Sequence, residues 1–246
     1  MKQQFTELFA GASVRGQSHI ATHLPNQDAF FIQSYGFGKV FVVADGVGSK
    51  PFADIGSRAV VKAVVKAVKL WQGQEGATPK QLLQIIHALW ELYIQPYERE
   101  NCATTCLFGV YLYDGRLVLA QVGDGIIMFL RDDELTVLSE KEDDFLNTTK
   151  PIHKVRSYSE WSVQEFDVRN DSFMLLLGTD GVAEDIIEEE RSAFMQYLCV
   201  KIAQNPTLKK RNTIIKKMLK RWGNRYNMDD KTLIIFNREA MQNADE

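Results

Sequence analysis

Short, nearly unbroken apolar runs recur along this chain, and they limit its fold more than any other feature. VFVVA (40–44), CLFGVYLY (106–113), RLVLAQV (116–122), FMLLLGT (173–179) and TLIIFN (232–237) are rich in β-branched, aromatic and leucine residues, and each has an aspartate at or near one end. Runs of this length and makeup read as buried strands. Residues 9–14 and 28–34, IIMFLR, ELTVLS and SVQEFDV add further strands. Helical spacing appears in four places. Over 53–70, Val60, Val61, Val64, Val65 and Val68 oppose Lys62, Lys66 and Lys69. Thr78-Pro79 places an N-cap before a proline at the first helical position, and Leu82, Leu83, Ile86, Leu89, Trp90 and Tyr93 follow at helical spacing. Segments 188–203 and 207–222 complete the set. Asp114-Gly115 and Asp124-Gly125 are hairpin signals, so 104–138 reads as an antiparallel meander. The sum is an α+β chain: two antiparallel sheets packed as a β-sandwich, with helix pairs on both outer faces, four layers in the order αββα.

Four apolar runs meet an aspartate at one end: Asp45, Asp124, Asp180 and Asp229. The first three are followed by glycine. A strand end places a carboxylate at the edge of a core. Four such ends brought together make a pocket of hard oxygen donors, which suits Mg²⁺ or Mn²⁺. Taken singly, each Asp-Gly is equally open to being a plain turn. Asp114, in a short polar turn, is the control and is assigned no chemistry. Asp45 and Asp180 differ from it because a helix or loop follows, not an immediate return strand. Glycine there lets the backbone approach a ligand closely. Asp229 and Asp230 are adjacent carboxylates, which repel each other unless a cation or a base is near. Asp28, in PNQDAFFI, and Arg15, in SVRGQSH, lie close together in the chain. Arg15 alone reads as a surface residue; beside a cluster of acids it becomes a fork for phosphate.

Composition narrows the alternatives. At 246 residues the chain needs neither disulfide nor metal to fold, since roughly 70% of its unfolded surface can be buried. A net charge of −3 leaves no overall nucleic-acid footprint. Cys102, Cys106 and Cys199 lack zinc-knuckle spacing and read as buried or free thiols of a reducing compartment. The N-terminus has no apolar signal core, and no run approaches the roughly 20 residues of a membrane span. The expectation is a cytoplasmic monomer with one domain over 1–237 and a frayed tail over 238–246.

In order, Arg15, Asn26-Gln27-Asp28, Val43-Ala44-Asp45-Gly46-Val47-Gly48, Gly123-Asp124, Gly178-Thr179-Asp180-Gly181 and Asp229-Asp230-Lys231-Thr232 resemble the protein phosphatase 2C family, the metal-dependent serine/threonine phosphatases. The resemblance runs from about residue 9 to 237, and the DGVG form looks like the bacterial members. It implies the same β-sandwich flanked by antiparallel helices. It implies that Asp45 bridges two Mn²⁺ or Mg²⁺ ions, that the Gly46 carbonyl ligates one of them, and that Asp180 and Asp229 are the other direct ligands. Asp28 matches a carboxylate that holds a metal through water, and Asp124 one that holds a weaker third metal with Asp180. Arg15 matches the arginine that grips the substrate phosphate. The implied activity is hydrolysis of phosphoserine and phosphothreonine in phosphorylated proteins, opposing a cognate kinase. A metal-bridged water attacks in line, with no phosphoenzyme.

Several positions depart from the family pattern. Gln27 stands where the family often has Glu, Asp230 where it usually has Asn, and Gly125-Ile126 where Ser-Arg usually follows the aspartate. Val47 stands where eukaryotic members have a histidine proposed as general acid. Many bacterial relatives also lack that histidine. His19 and His153 are the candidate replacements; His23 and His87 are weaker ones. The alternative function is an inactive relative that binds phosphoproteins as a regulatory or scaffold module. A further one is a hydrolase of small phosphate esters, and no P-loop is present for nucleoside triphosphates. Two segments bear on substrate choice. One is the polar flap over 140–165, including Glu142–Asn147. The other is the basic helix over 207–222, with Lys209, Lys210, Arg211, Lys216, Lys217, Lys220 and Arg221. That helix is open to two readings, a solvated face or a docking surface for an acidic partner.

Overall fold

The computed structural model of the protein describes residues 3–138, 150–223 and 228–241. The elements run in the order β1 (Phe5–Val14), α1 (Gln17–Ala21), β2 (Ala29–Tyr35), β3 (Gly38–Ala44), α2 (Ala53–Trp71), α3 (Pro79–Tyr93), β4 (Cys106–Leu112), β5 (Arg116–Val122), β6 (Ile126–Arg131), β7 (Glu134–Leu138), β8 (Ser162–Asp167), β9 (Phe173–Gly178), α4 (Asp180–Ala183), α5 (Arg191–Ala203), α6 (Leu208–Arg221) and β10 (Lys231–Ala240). The strands form two antiparallel five-stranded sheets, ordered β1-β10-β9-β6-β7 and β2-β3-β4-β5-β8.

The apolar runs are unbroken because their strands are buried on both faces. In β3, Phe41 and Val43 point between the sheets, where they meet Leu175, Leu177, Ile234 and Phe236. The alternate residues Val40, Val42 and Ala44 point outward into a core with Val60, Val64, Trp71 and Trp90 of α2 and α3. The second sheet repeats the scheme: Leu176 and Ile235 face Leu198, Ile202, Ile215 and Leu219 of α5 and α6. Three apolar layers thus separate the four structural layers. Thr78 caps α3 as its sequence promises, with Gln81 N–H donating to Thr78 Oγ1 and Thr78 N–H to Gln81 Oε1.

The meander expected over 104–138 is split in two. β4 and β5 pair in one sheet, whereas β6 pairs with β7 and β9 in the other. Asp124-Gly125 is therefore a crossover and not a hairpin. Gly123 and Gly125 adopt φ of +86° and +105°, and Gln121 Nε2 donates to both their carbonyls at 3.0 and 3.2 Å. β5 is paired along both edges, with β4 and β8, so β6 has no free edge there and pairs with β9 of the other sheet. β10 continues to Ala240, paired with β1 throughout, three residues beyond the point where the sequence suggested a frayed tail. Of the flap, Glu142–Asn147 lies outside the described residues. Its later part folds as two 3₁₀ turns, Ile152–Lys154 and Tyr158–Glu160. Cys102, Cys106 and Cys199 are buried free thiols, and no described helix is long and apolar enough to cross a membrane.

Candidate active site

Asp45 follows the last residue of β3, and its backbone is held at three points. The Thr104 hydroxyl and the Thr105 N–H donate to its carbonyl, each at 2.8 Å, and its own N–H donates to Thr105 Oγ1 at 2.8 Å. Gly46 N–H donates to the Gln27 carbonyl at 3.2 Å, tying the loop to the residue before Asp28. A Cβ on Gly46 would lie 2.5 Å from the Ala53 carbonyl oxygen, so only glycine lets α2 start where it does.

Asp180 opens α4 one residue after β9, and Gly181 N–H donates to its Oδ1 at 2.6 Å. The preceding Thr179 is a relay. Its hydroxyl donates to Asp28 Oδ2 at 2.9 Å and accepts from Thr232 N–H at 3.1 Å, so β9, β10 and Asp28 are fixed together. Asp124 sits at the crossover between the sheets and repels Asp180, while Asp229, before β10, repels both Asp180 and Asp45. The fold thus brings together all five aspartates singled out by sequence. Arg15, at the end of β1, donates to the Leu24 carbonyl at 3.2 Å and shares a cleft of about 470 Å³ with Asp229.

The electrostatics follow from crowding like charges at the edge of a core. Burial, then Asp28 and Asp180, push Asp45 well above the usual carboxylate range. Burial is likewise the main cause for Asp28, pushed up to about 7, with Asp230 adding to it and the Thr232 and Thr179 hydrogen bonds opposing it. Asp180 rises to about 6, from burial first and then from Asp124 and Asp229. A cation bound among these groups would offset their mutual repulsion. The clustered donors are the carboxylate oxygens of Asp28, Asp45, Asp124, Asp180 and Asp229, a set that fits a hard divalent ion. Asp28 Oδ1 and Gln27 Oε1 are buried with no well-formed hydrogen bond among the described residues, as acceptors awaiting a donor or a cation would be.

Asp230 is the residue whose part was not legible in the motif. It is 1% exposed, whereas the Asp229 side chain is 44% exposed. Asp230 Oδ1 accepts from Gly16 N–H at 2.7 Å, Oδ2 accepts from Gln27 N–H at 2.6 Å, and His19 Nδ1 stands 2.9 Å from Oδ2. It therefore ties the Arg15 segment, α1 and the Asp28 segment to one point. The adjacency of Asp229 and Asp230 signalled that a base or cation is near, and His19 is that base. Replacing Asp230 by alanine is expected to strand two buried N–H groups, costing about 2–5 kcal/mol, and to loosen Arg15 and Asp28 together. Thermal unfolding checks this; a melting temperature within a degree of the parent would remove Asp230 from that role.

His153 does not join the aspartates. It lines a separate cleft with Lys50, Arg99 and Lys154, and burial, then Lys154 and Lys50, hold its pKa below the ordinary value. His87 lies on α3 beside Glu91, and His23 sits at positive φ after α1.

A family model described as protein phosphatase 2C matches residues 15–222. Among solved structures, the chain resembles a bacterial serine phosphatase (17% identity, TM-score 0.67, 97% of this chain and 100% of that chain). It also resembles the catalytic domain of the serine threonine protein phosphatase PstP in complex with two manganese ions (17%, 0.63, 96% and 100%). A third is RsbX in complex with magnesium (14%, 0.61, 96% and 100%). At these identities the structures establish a shared fold. No curated protein matches the chain by sequence.

Proposed function

The chain belongs to the protein phosphatase 2C family, and we propose that it hydrolyses phosphoserine and phosphothreonine in proteins with the help of divalent cations. The observation that carries this is the convergence of Asp28, Asp45, Asp124, Asp180 and Asp229 from separate strand ends, beside a cleft holding Arg15. Asp45, the Gly46 carbonyl, Asp180 and Asp229 are the residues to hold two Mn²⁺ or Mg²⁺ ions. Asp28 acts through water, and Asp124 with Asp180 offers a weaker third position. Bound there, the cations would supply positive charge that offsets the phosphate's and lowers the pKa of a water, so that hydroxide is available as the nucleophile at neutral pH. Arg15 would meet the equatorial oxygens with its planar fork, aided by the Leu24 carbonyl that fixes one end of the guanidinium. The proton for the leaving seryl oxygen would come from a histidine near the aspartates, and the 2.9 Å and 3.8 Å separations of His19 Nδ1 from Asp230 Oδ2 and Asp229 Oδ1 favour His19 over His153.

Gly125-Ile126, where the family usually has Ser-Arg, reflects the crossover: a Cβ at Gly125 would lie 2.7 Å from the Gly178 carbonyl oxygen. The departure changes the neighbourhood of Asp124 and leaves the other ligands in place. An inactive relative would be expected to lose a direct ligand, and Asp45, Asp180 and Asp229 are all present. The test is hydrolysis of p-nitrophenyl phosphate by the purified protein with Mn²⁺, with Mg²⁺ and with EDTA. Turnover that needs metal and stops in EDTA is expected. A folded protein with no turnover under either ion would overturn the assignment.

A further inference from the structure

α6 carries seven basic residues and no acidic one, so no ion pair within the helix can offset them. Arg211 is consumed by structure: it is buried, and it donates to the carbonyls of Phe9 and Asn205. On the neighbouring face, Asn212 Oδ1 accepts from Gly11 N–H of β1 at 3.0 Å. Lys216 and Lys220 follow Asn212 by one and two turns on that same face. They therefore advance along β1 towards its end, where Arg15 begins. Both are exposed, both line the cleft that holds Arg15 and Asp229, and neither pairs with a described carboxylate. Like charges a turn apart repel, and a cleft focuses their field. With Arg15 the two lysines make the rim of this cleft positive, which would draw an acidic segment towards it.

We propose that Lys216 and Lys220 form a docking subsite for acidic side chains flanking the phosphorylated residue, so that the substrates are phosphoproteins acidic around their phosphosite. This rests on the phosphatase assignment above and adds the substrate class. Four helical residues span about 6 Å along the axis, close to the ~6.6–7 Å between alternate residues of an extended chain. Glutamate or aspartate at alternate positions of an extended segment would thus meet the two lysines in turn.

The experiment compares three substrates on the full-length protein with Mn²⁺: a phosphoserine peptide with glutamates at alternate flanking positions, one of equal length flanked by serine and glycine, and p-nitrophenyl phosphate. The K216E/K220E variant is set against K62E/K66E, which makes the same charge change on exposed lysines of α2. Unchanged thermal unfolding certifies the fold of each. K216E/K220E is expected to lower kcat/KM on the acidic peptide by about tenfold or more, with the neutral peptide, the small ester and the α2 variant within about twofold. An equal loss on all three substrates, or no loss on the acidic peptide, overturns the subsite. Binding of the labelled acidic peptide, read by anisotropy, separates the two claims. Lysine-dependent binding without turnover of any substrate keeps the subsite and sinks the phosphatase; turnover without lysine-dependent preference does the reverse. A single-stranded oligonucleotide that binds tighter than the acidic peptide, and loses binding in K216E/K220E, reassigns the surface and overturns the proposal.

Discussion

Asp45→Asn is expected to lower kcat/KM on p-nitrophenyl phosphate by at least about 10²–10³-fold, the scale on which removal of one group that stabilises developing charge acts elsewhere. The same change is expected to raise the melting temperature of the metal-free protein. Both follow from one fact. Asp45 sits where burial and three other aspartates disfavour its charge, and an amide of the same shape removes that repulsion while removing a ligand. The backbone around it, held by Thr104 and Thr105, needs no carboxylate to keep its course. Sites that trade stability for function respond in this way. Kinetics with saturating Mn²⁺, together with calorimetry in EDTA, check the pair. Retained turnover would sink the ligand assignment. Lost turnover with a lowered metal-free melting temperature would show that Asp45 acts through structure and not through charge.

The second large effect is a stability that runs against pH in the absence of metal. Asp28 and Asp180 are raised from 3.8 to about 7 and about 6 in the folded protein, and Asp45 is raised as well. Between about pH 4 and 7 the folded state therefore holds more protons than the unfolded one, and stability falls as pH rises through that window. Below it these groups are protonated in both states and contribute no slope; above it their full destabilisation is present. In EDTA the melting temperature should drop by roughly 5 °C or more between pH 5 and pH 8. Saturating Mn²⁺ or Mg²⁺ should remove or invert the slope, because cations bind only the deprotonated ligands and gain affinity as pH rises. Other carboxylates, such as Glu160 with its backbone hydrogen bonds, titrate the opposite way, so the Asp45→Asn difference isolates the cluster. A metal-free melting temperature that is flat or rises with pH in the parent, and is unchanged in slope by Asp45→Asn, would contradict the crowded site.

Much of the site was legible because its chemistry is local to strand ends. Asp45 and Asp180 stood out because each closes an apolar run and precedes glycine, and a carboxylate at such a point can only face the rim of a core. Asp124 was found as a ligand candidate but its turn was misjudged: Asp124-Gly125 has the sequence of a hairpin, and nothing local says that β5 and β6 belong to different sheets. Asp230 was seen as a departure and an unexplained neighbour of Asp229. Its acceptor role needed Gly16, His19 and Gln27, which lie more than 200 residues away along the chain.

Hydrophobic period and chain punctuation act over a few residues, so the sequence by itself determined the kinds and order of the elements, the burial of both faces of the central strands, and the acidic strand ends. Distance in space decided the rest. β1 found β10 across the length of the chain, the crossover at Asp124 changed sheets, and α6 lay along β1 so that its lysines line the cleft of Arg15. Desolvation and Coulomb repulsion act through three-dimensional separation. Which aspartate is buried and which lysine lines the Arg15 cleft are therefore properties of the packed molecule, not of any segment of it.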